Sequence, residues 1–110
     1  MPAKQLGDFE QAVLLAVARL GDEAYGVPIL QDIARYRKRR VSVGALYVTL
    51  ERLESKGLLR SHIGEATAVR GGRAKRYYAL TSAGASALRA ARERHERMWA
   101  GVDLRVARKS

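Results

Sequence analysis

Apolar residues in the first part of the chain recur with a helical period. Phe9, Val13, Ala16, Val17 and Leu20 fall on one face, Asp8 with Gln11 three residues later makes a capping box, and Gly21 offers a stop, so a helix is predicted from about residue 9 to 20. Its second face, Ala12, Leu14, Leu15 and Ala18, is apolar too. A helix apolar all round in a small domain must be covered on both sides, and a second copy of the chain is the simplest cover. After the turn GDEAYG, Pro28 suits a first helical turn, and Ile29, Ile33 and Tyr36 share a stripe of a second helix. In a third, Ser42 is placed to cap and Gly57 to close. Leu46, Leu50 and Leu53 mark its buried side and leave Tyr47, Thr49, Glu51 and Arg52 to face elsewhere.

Beyond Gly57 the period changes. LLRSHIGEA alternates as a strand does, KRYYAL has the aromatic content of a partner strand, and TAVRGGRA between them is a loop with Gly71 and Gly72 at its tip. Tyr77 and Tyr78 point to opposite faces, so at least one belongs to the core. Thr81 then caps a long helix through Val102, with Leu88, Ala91, His95, Met98 or Trp99, and Val102 on a narrow stripe. The tail LRVARKS carries no clear pattern. The predicted fold is mainly α with a two-stranded β-wing: a winged helix-turn-helix over residues 1–80 and a C-terminal dimerisation helix and tail over 81–110, forming one compact unit.

Charge narrows the partner. Lysine and arginine total 21 against 11 acidic residues, a net charge of +10 on 110 residues, which suits a protein that meets phosphates. The positive charge is concentrated in RYRKRR, just before the third helix, and in the loop ahead of Tyr77. The RYRKRR run reads either as phosphate contact or as a solvated face. There is no cysteine, and His62 and His95 have no partner at ligand spacing, so no metal or other cofactor is expected. No nucleophile stands beside a base on a glycine elbow or phosphate loop, so an enzyme is not expected. AVLLAVA follows acidic residues and is shorter than the ~20 residues a span requires; a cytoplasmic, nucleoid-associated protein with no membrane partner is predicted.

In a winged fold the third helix enters the major groove and the hairpin reaches the adjacent backbone. The stretches YGVPIL, VSVGALYVTLERLESKGLL and GGRAKRYYALTSAG, with the alanine-arginine C-terminal helix, resemble the PadR family of bacterial transcriptional regulators over nearly the whole chain. The departures are Val48, where the family commonly has proline, and a short C-terminal region like that of the compact branch. The resemblance implies a homodimer on an inverted-repeat operator of double-stranded DNA, usually acting as a repressor. It places Tyr25, Ser42, Gly44, Tyr47, Thr49, Arg73 and Lys75 at the DNA surface, beside Arg39 and Arg40 of the basic run. The first and last helices would build the dimer through Leu15, Leu88, Ala91 and Met98. Trp99 reads either as dimer packing or as the contact for a small planar aromatic effector. The rival classes are a winged-helix protein-interaction module and a basic protein that coats DNA without sequence preference.

Overall fold

A computed structural model describes residues 5–64 and 74–107. Helix α1 (Asp8–Leu20) begins differently from the expected pattern. Gly7 is the N-cap, and its N–H donates to Glu10 Oε1 at 3.0 Å, so Asp8 is the first helical residue and not the cap. Glu10 is placed to reach back over one turn, while Gln11 donates to the Leu6 carbonyl instead. The second apolar face is also narrower than predicted. Leu14 is completely buried in the core, and of that face only Leu15 and Ala18 are open to solvent.

A short 3-10 turn (Gly21–Glu23) leads to α2 (Gly26–Arg37), capped by Tyr25 in extended conformation. Ile29 and Ile33 are buried as expected, but Tyr36 is exposed. The inward position is taken by Asp32, which accepts from Arg19 Nε at 3.2 Å on each carboxylate oxygen and from a second guanidinium nitrogen. Tyr36 instead covers this pair from outside, its ring centroid 4.2 Å from the Arg19 guanidinium carbon. The ion pair raises the Arg19 pKa further above its ordinary value, chiefly through the Asp32 hydrogen bond.

Helix α3 (Val43–Ser55) is capped by Ser42, whose Oγ accepts from the Ala45 N–H at 3.2 Å. It ends in a Schellman motif: Leu58 N–H bonds Leu53 O at 3.0 Å, Gly57 N–H bonds Glu54 O at 2.9 Å, and Gly57 has φ +77°. Strands β1 (Leu59–Ile63) and β2 (Arg76–Leu80) pair antiparallel, from Leu59 opposite Leu80 to Ile63 opposite Arg76. Tyr25 adds an isolated bridge to Tyr77 on the other edge of β2, and the Tyr78 N–H donates to Ala24 O at 2.8 Å. Tyr78 is the core tyrosine of the pair, and burial pushes its phenol above the usual pKa. The glycine tip of the predicted loop lies outside the described residues.

Helix α4 (Ser82–Trp99) is held at its start by Thr81, whose Oγ1 accepts from Gly84 N–H at 3.0 Å and donates to Gly57 O at 2.7 Å. A side chain at Gly84 would collide with the Leu58 carbonyl, so the TSAG sequence both caps the helix and seats it on the body. The helix stops at Trp99 and not at Val102; Gly101 follows with φ +76°, and residues 102–107 are exposed without regular structure. The core lies among α1, α2, α3 and the root of the hairpin, where Val13, Leu14, Val17, Ile29, Ile33, Leu46, Leu50, Leu53 and Leu59 are sealed from solvent. Each such side chain contributes about 1.5–3 kcal/mol by leaving water.

Candidate nucleic-acid interface

One face of α3 is given to the core, and the other defines a candidate surface. Ser42, Val43, Gly44, Ala45, Tyr47, Val48, Glu51 and Arg52 are exposed. Thr49 is not among them: it is only 5% exposed, which removes it from the expected contact residues. The cause is its phase. Leu46, Thr49, Leu50 and Leu53 stand at spacings of three and four, so Thr49 shares the buried stripe. Val43, which sequence reasoning passed over, and Val48, noted there only for standing where the family commonly has proline, are large apolar side chains on the outer face. The signal was available, since both lie off the leucine stripe.

Arg39 and Arg40 are exposed in the link between α2 and α3, just beyond Lys38, which closes α2 in the left-handed conformation with φ +54°. Lys75 is exposed at the root of the wing, its Nζ 4.3 Å from the Tyr25 ring centroid. Arg73 lies outside the described residues. The structure therefore brings Tyr25 and Lys75 together, on the outer face of the hairpin. Tyr77 joins them, with ring centroids 5.4 Å from Tyr25 edge to face and 5.6 Å from His62 in a stack.

A second cation at the wing root, Arg76, is fixed by a relay. Arg76 Nη1 donates to Ser61 Oγ at 2.8 Å, and Ser61 Oγ donates to Glu54 Oε2 at 2.7 Å. This ties the end of α3 to both strands.

The residues expected to build a dimer stand on α1 and α4. Leu15, Leu88, Ala91, His95 and Met98 border an open groove of about 670 Å³ between α1 and α4. Leu88 also packs on the core, and Ala91 is buried within the single chain at 6% exposure, so it forms the floor of the groove. Trp99 lies beyond the groove, half-exposed, with its ring 6.3 Å from His95.

Three helices, a hairpin packed on the last of them and a further helix define a winged helix-turn-helix protein. The outer face of its third helix directly follows a cationic link. Residues 14–90 match the model of the transcriptional regulator PadR-like family, and the chain belongs to that family. It is 45% identical over 67 residues to transcriptional regulator Rv3488 of Mycobacterium tuberculosis, a stretch covering 61% of this chain and 58% of that relative. The match thus spans less than two thirds of that relative's length. Among solved structures, a PadR family transcription regulator from Clostridium difficile R20291 is 28% identical with a TM-score of 0.64, over 84% of this chain and 88% of that one. A PadR family transcriptional regulator from Eggerthella lenta is 29% identical with a TM-score of 0.64, over 81% and 75%. Among the described residues, no helix is long and apolar enough to cross a membrane.

Proposed function

We propose that this chain regulates transcription by reading double-stranded DNA, binding an inverted-repeat operator as a homodimer and repressing the gene beside it. What carries this reading is the outer face of α3: small and hydrogen-bonding groups at Ser42 and Gly44, with Val43 and Val48 alongside, directly follow Arg39 and Arg40. Small residues admit a close approach to base edges, and apolar side chains suit thymine methyl groups. Lys75, Arg73 and the two arginines would hold phosphates, which positions the helix without specifying sequence. Residues 1–80 would do the reading and 81–110 the assembly, with Leu15, Leu88 and Met98 covered by the second copy and Ala91 beneath them. A planar aromatic effector would bind beside Met98, His95 and Trp99 and relieve repression by favouring a subunit arrangement that misfits DNA.

Selection of bound sequences from a random duplex pool tests the reading. Enrichment of an inverted repeat is the expected result; capture of DNA without enrichment would leave only a nonspecific binder. Lys75→Ala is expected to weaken all duplexes about equally and to shallow the salt dependence by ~1 unit.

A further inference from the structure

Tyr47 stands on the outer face of α3, yet the far end of its side chain is not free. Its hydroxyl lies against the backbone of Gly26, in the space that a side chain at position 26 would fill: a Cβ there would collide with the hydroxyl, and Tyr47 Cζ would be only 3.1 Å away. This explains a glycine at the first position of α2, where most residues serve a helix better. The contact is the first link of a chain. Gly26 follows Tyr25, the cap of α2, whose backbone bridges to Tyr77 and whose ring meets the Tyr77 ring at 5.4 Å. Tyr77 in turn lies over Gly64, where a Cβ would come within 2.6 Å of its ring, and Gly64 N–H closes on Lys75 O at 2.7 Å in the last described rung of the wing. Lys75 then returns its ammonium group to the Tyr25 face.

We infer that Tyr47, Gly26, Tyr25 and Tyr77 form a strut that fixes the wing root relative to α3, and that Tyr47 and Tyr25 are positioning residues and not base readers. The two glycines are its sockets. Because helix and wing must meet groove and backbone together, the strut sets which duplex geometry is accepted. This rests on the DNA-reading function proposed above, and the test separates the two.

The test is a double-mutant cycle on the full chain with Gly26→Ala and Tyr47→Phe. The atom nearest the added methyl is the tyrosine hydroxyl, so removing it reopens most of the socket. One readout is the affinity ratio between the selected operator and a random duplex. The other needs no DNA: amide exchange at Tyr78, whose N–H crosses to Ala24 beside the strut, with Leu50 as the global reference. With Tyr47 present, Gly26→Ala is expected to cut the affinity ratio by roughly tenfold, at an unchanged salt slope, and to speed Tyr78 exchange selectively. In the Tyr47→Phe background, the same change should cost little in either readout. An equal cost in both backgrounds overturns the strut. Should Gly26→Ala fail to fold, Tyr47→Ala empties the socket without a clash; it must speed Tyr78 exchange relative to Tyr47→Phe, and equal exchange overturns the inference. If the wild-type chain shows no sequence preference, the proposed function fails while the exchange cycle still decides the strut.

Discussion

Leu50 and Met98 both sit on helices and both are large and apolar, but one is sealed and the other is 70% exposed. The difference runs through the molecule. From α1 to the hairpin, Leu14, Ile29, Ile33, Leu46, Leu50, Leu53 and Leu59 close on one another, while Leu15 and Ile63 stay at the surface. From the middle of α4 onward, Met98, Trp99, Val102, Leu104 and Val106 face solvent, the last at 92% exposure. The first half of α4 belongs to the body, because Thr81 and Gly84 seat it and Leu88 packs on the core. The second half borders an open groove shared with α1, into which His95 and Met98 face. The winged body thus buries its large side chains within one chain while the end of α4 exposes its own, which is the physical basis of the proposal that one region reads and the other assembles.

The contrast breaks most directly by truncation. Leu50→Ala should lower unfolding free energy by about 2–5 kcal/mol in urea titrations, through lost burial and the cavity left behind. Met98→Ala at high dilution should cost about 0.5 kcal/mol or less, as surface substitutions do. Comparable costs would show that the two regions are packed alike.

Assembly sharpens the same contrast. If α4 is completed by a second copy, thermal stability must rise with protein concentration, by about 2.7 kcal/mol at a hundredfold excess over the dissociation constant. Met98→Glu should abolish that rise while leaving the dilute protein unchanged, because it places a charge in the interface alone. Sedimentation of the wild type as a monomer at micromolar concentration would remove the assembly role of α4.

What the sequence revealed follows how local each cause is. Ser42, Thr81 and Gly57 act within one turn of their helices, so these two caps and this stop are legible, as is the Leu46, Leu50, Leu53 stripe, whereas the cap of α1 and the end of α4 are not. Thr49 stands on that stripe by its phase, although its polar identity suggests an outward face. Tyr36 had the right period for the core, but Arg19 on another helix claims Asp32 and leaves the tyrosine as a cover. Asp8 has the chemistry of a cap, but Glu10 is the side chain placed to reach Gly7. The seat of Tyr47 on Gly26 depends on how α2 and α3 pack, and no spacing rule within either helix announces it.

Within the body, the Arg19–Asp32 pair tests whether polar contacts matter beside the leucine core. Asp32 is nearly buried while Arg19 is partly solvated, so screening reduces the strength of the pair. Asp32→Ala should cost about 1–2 kcal/mol, chiefly by removing the acceptor that ties α2 to α1, with Asp32→Asn recovering part of it. Chemical denaturation of both variants at two salt concentrations checks the assignment. A loss from Asp32→Ala no larger than that of Met98→Ala would mean that the clamp is ornamental.

A smaller effect than that of the clamp carries a pH signature. The Gly7 N–H is the main cause holding the Glu10 carboxyl below its ordinary pKa of 4.5, with help from Lys56 at 2.9 Å and against the opposing effect of burial. Because the folded value is the lower one, ionised Glu10 stabilises the fold above pH 4.5, and that contribution is lost as pH falls through the folded value. The contact fastens the start of α1 to the end of α3, since Lys56 is the C-cap of α3. Glu10→Gln keeps an acceptor for Gly7 but gives up the charge that favours a helix N-terminus and the pair with Lys56, so it should cost about 0.5–1 kcal/mol at neutral pH. The wild-type advantage should shrink steadily below pH 4.5 and vanish once the carboxyl is protonated. Subtracting the urea stabilities of the two proteins at each pH isolates Glu10 from the other acids, and a pH-independent difference would assign the contact to geometry alone, with no share for charge.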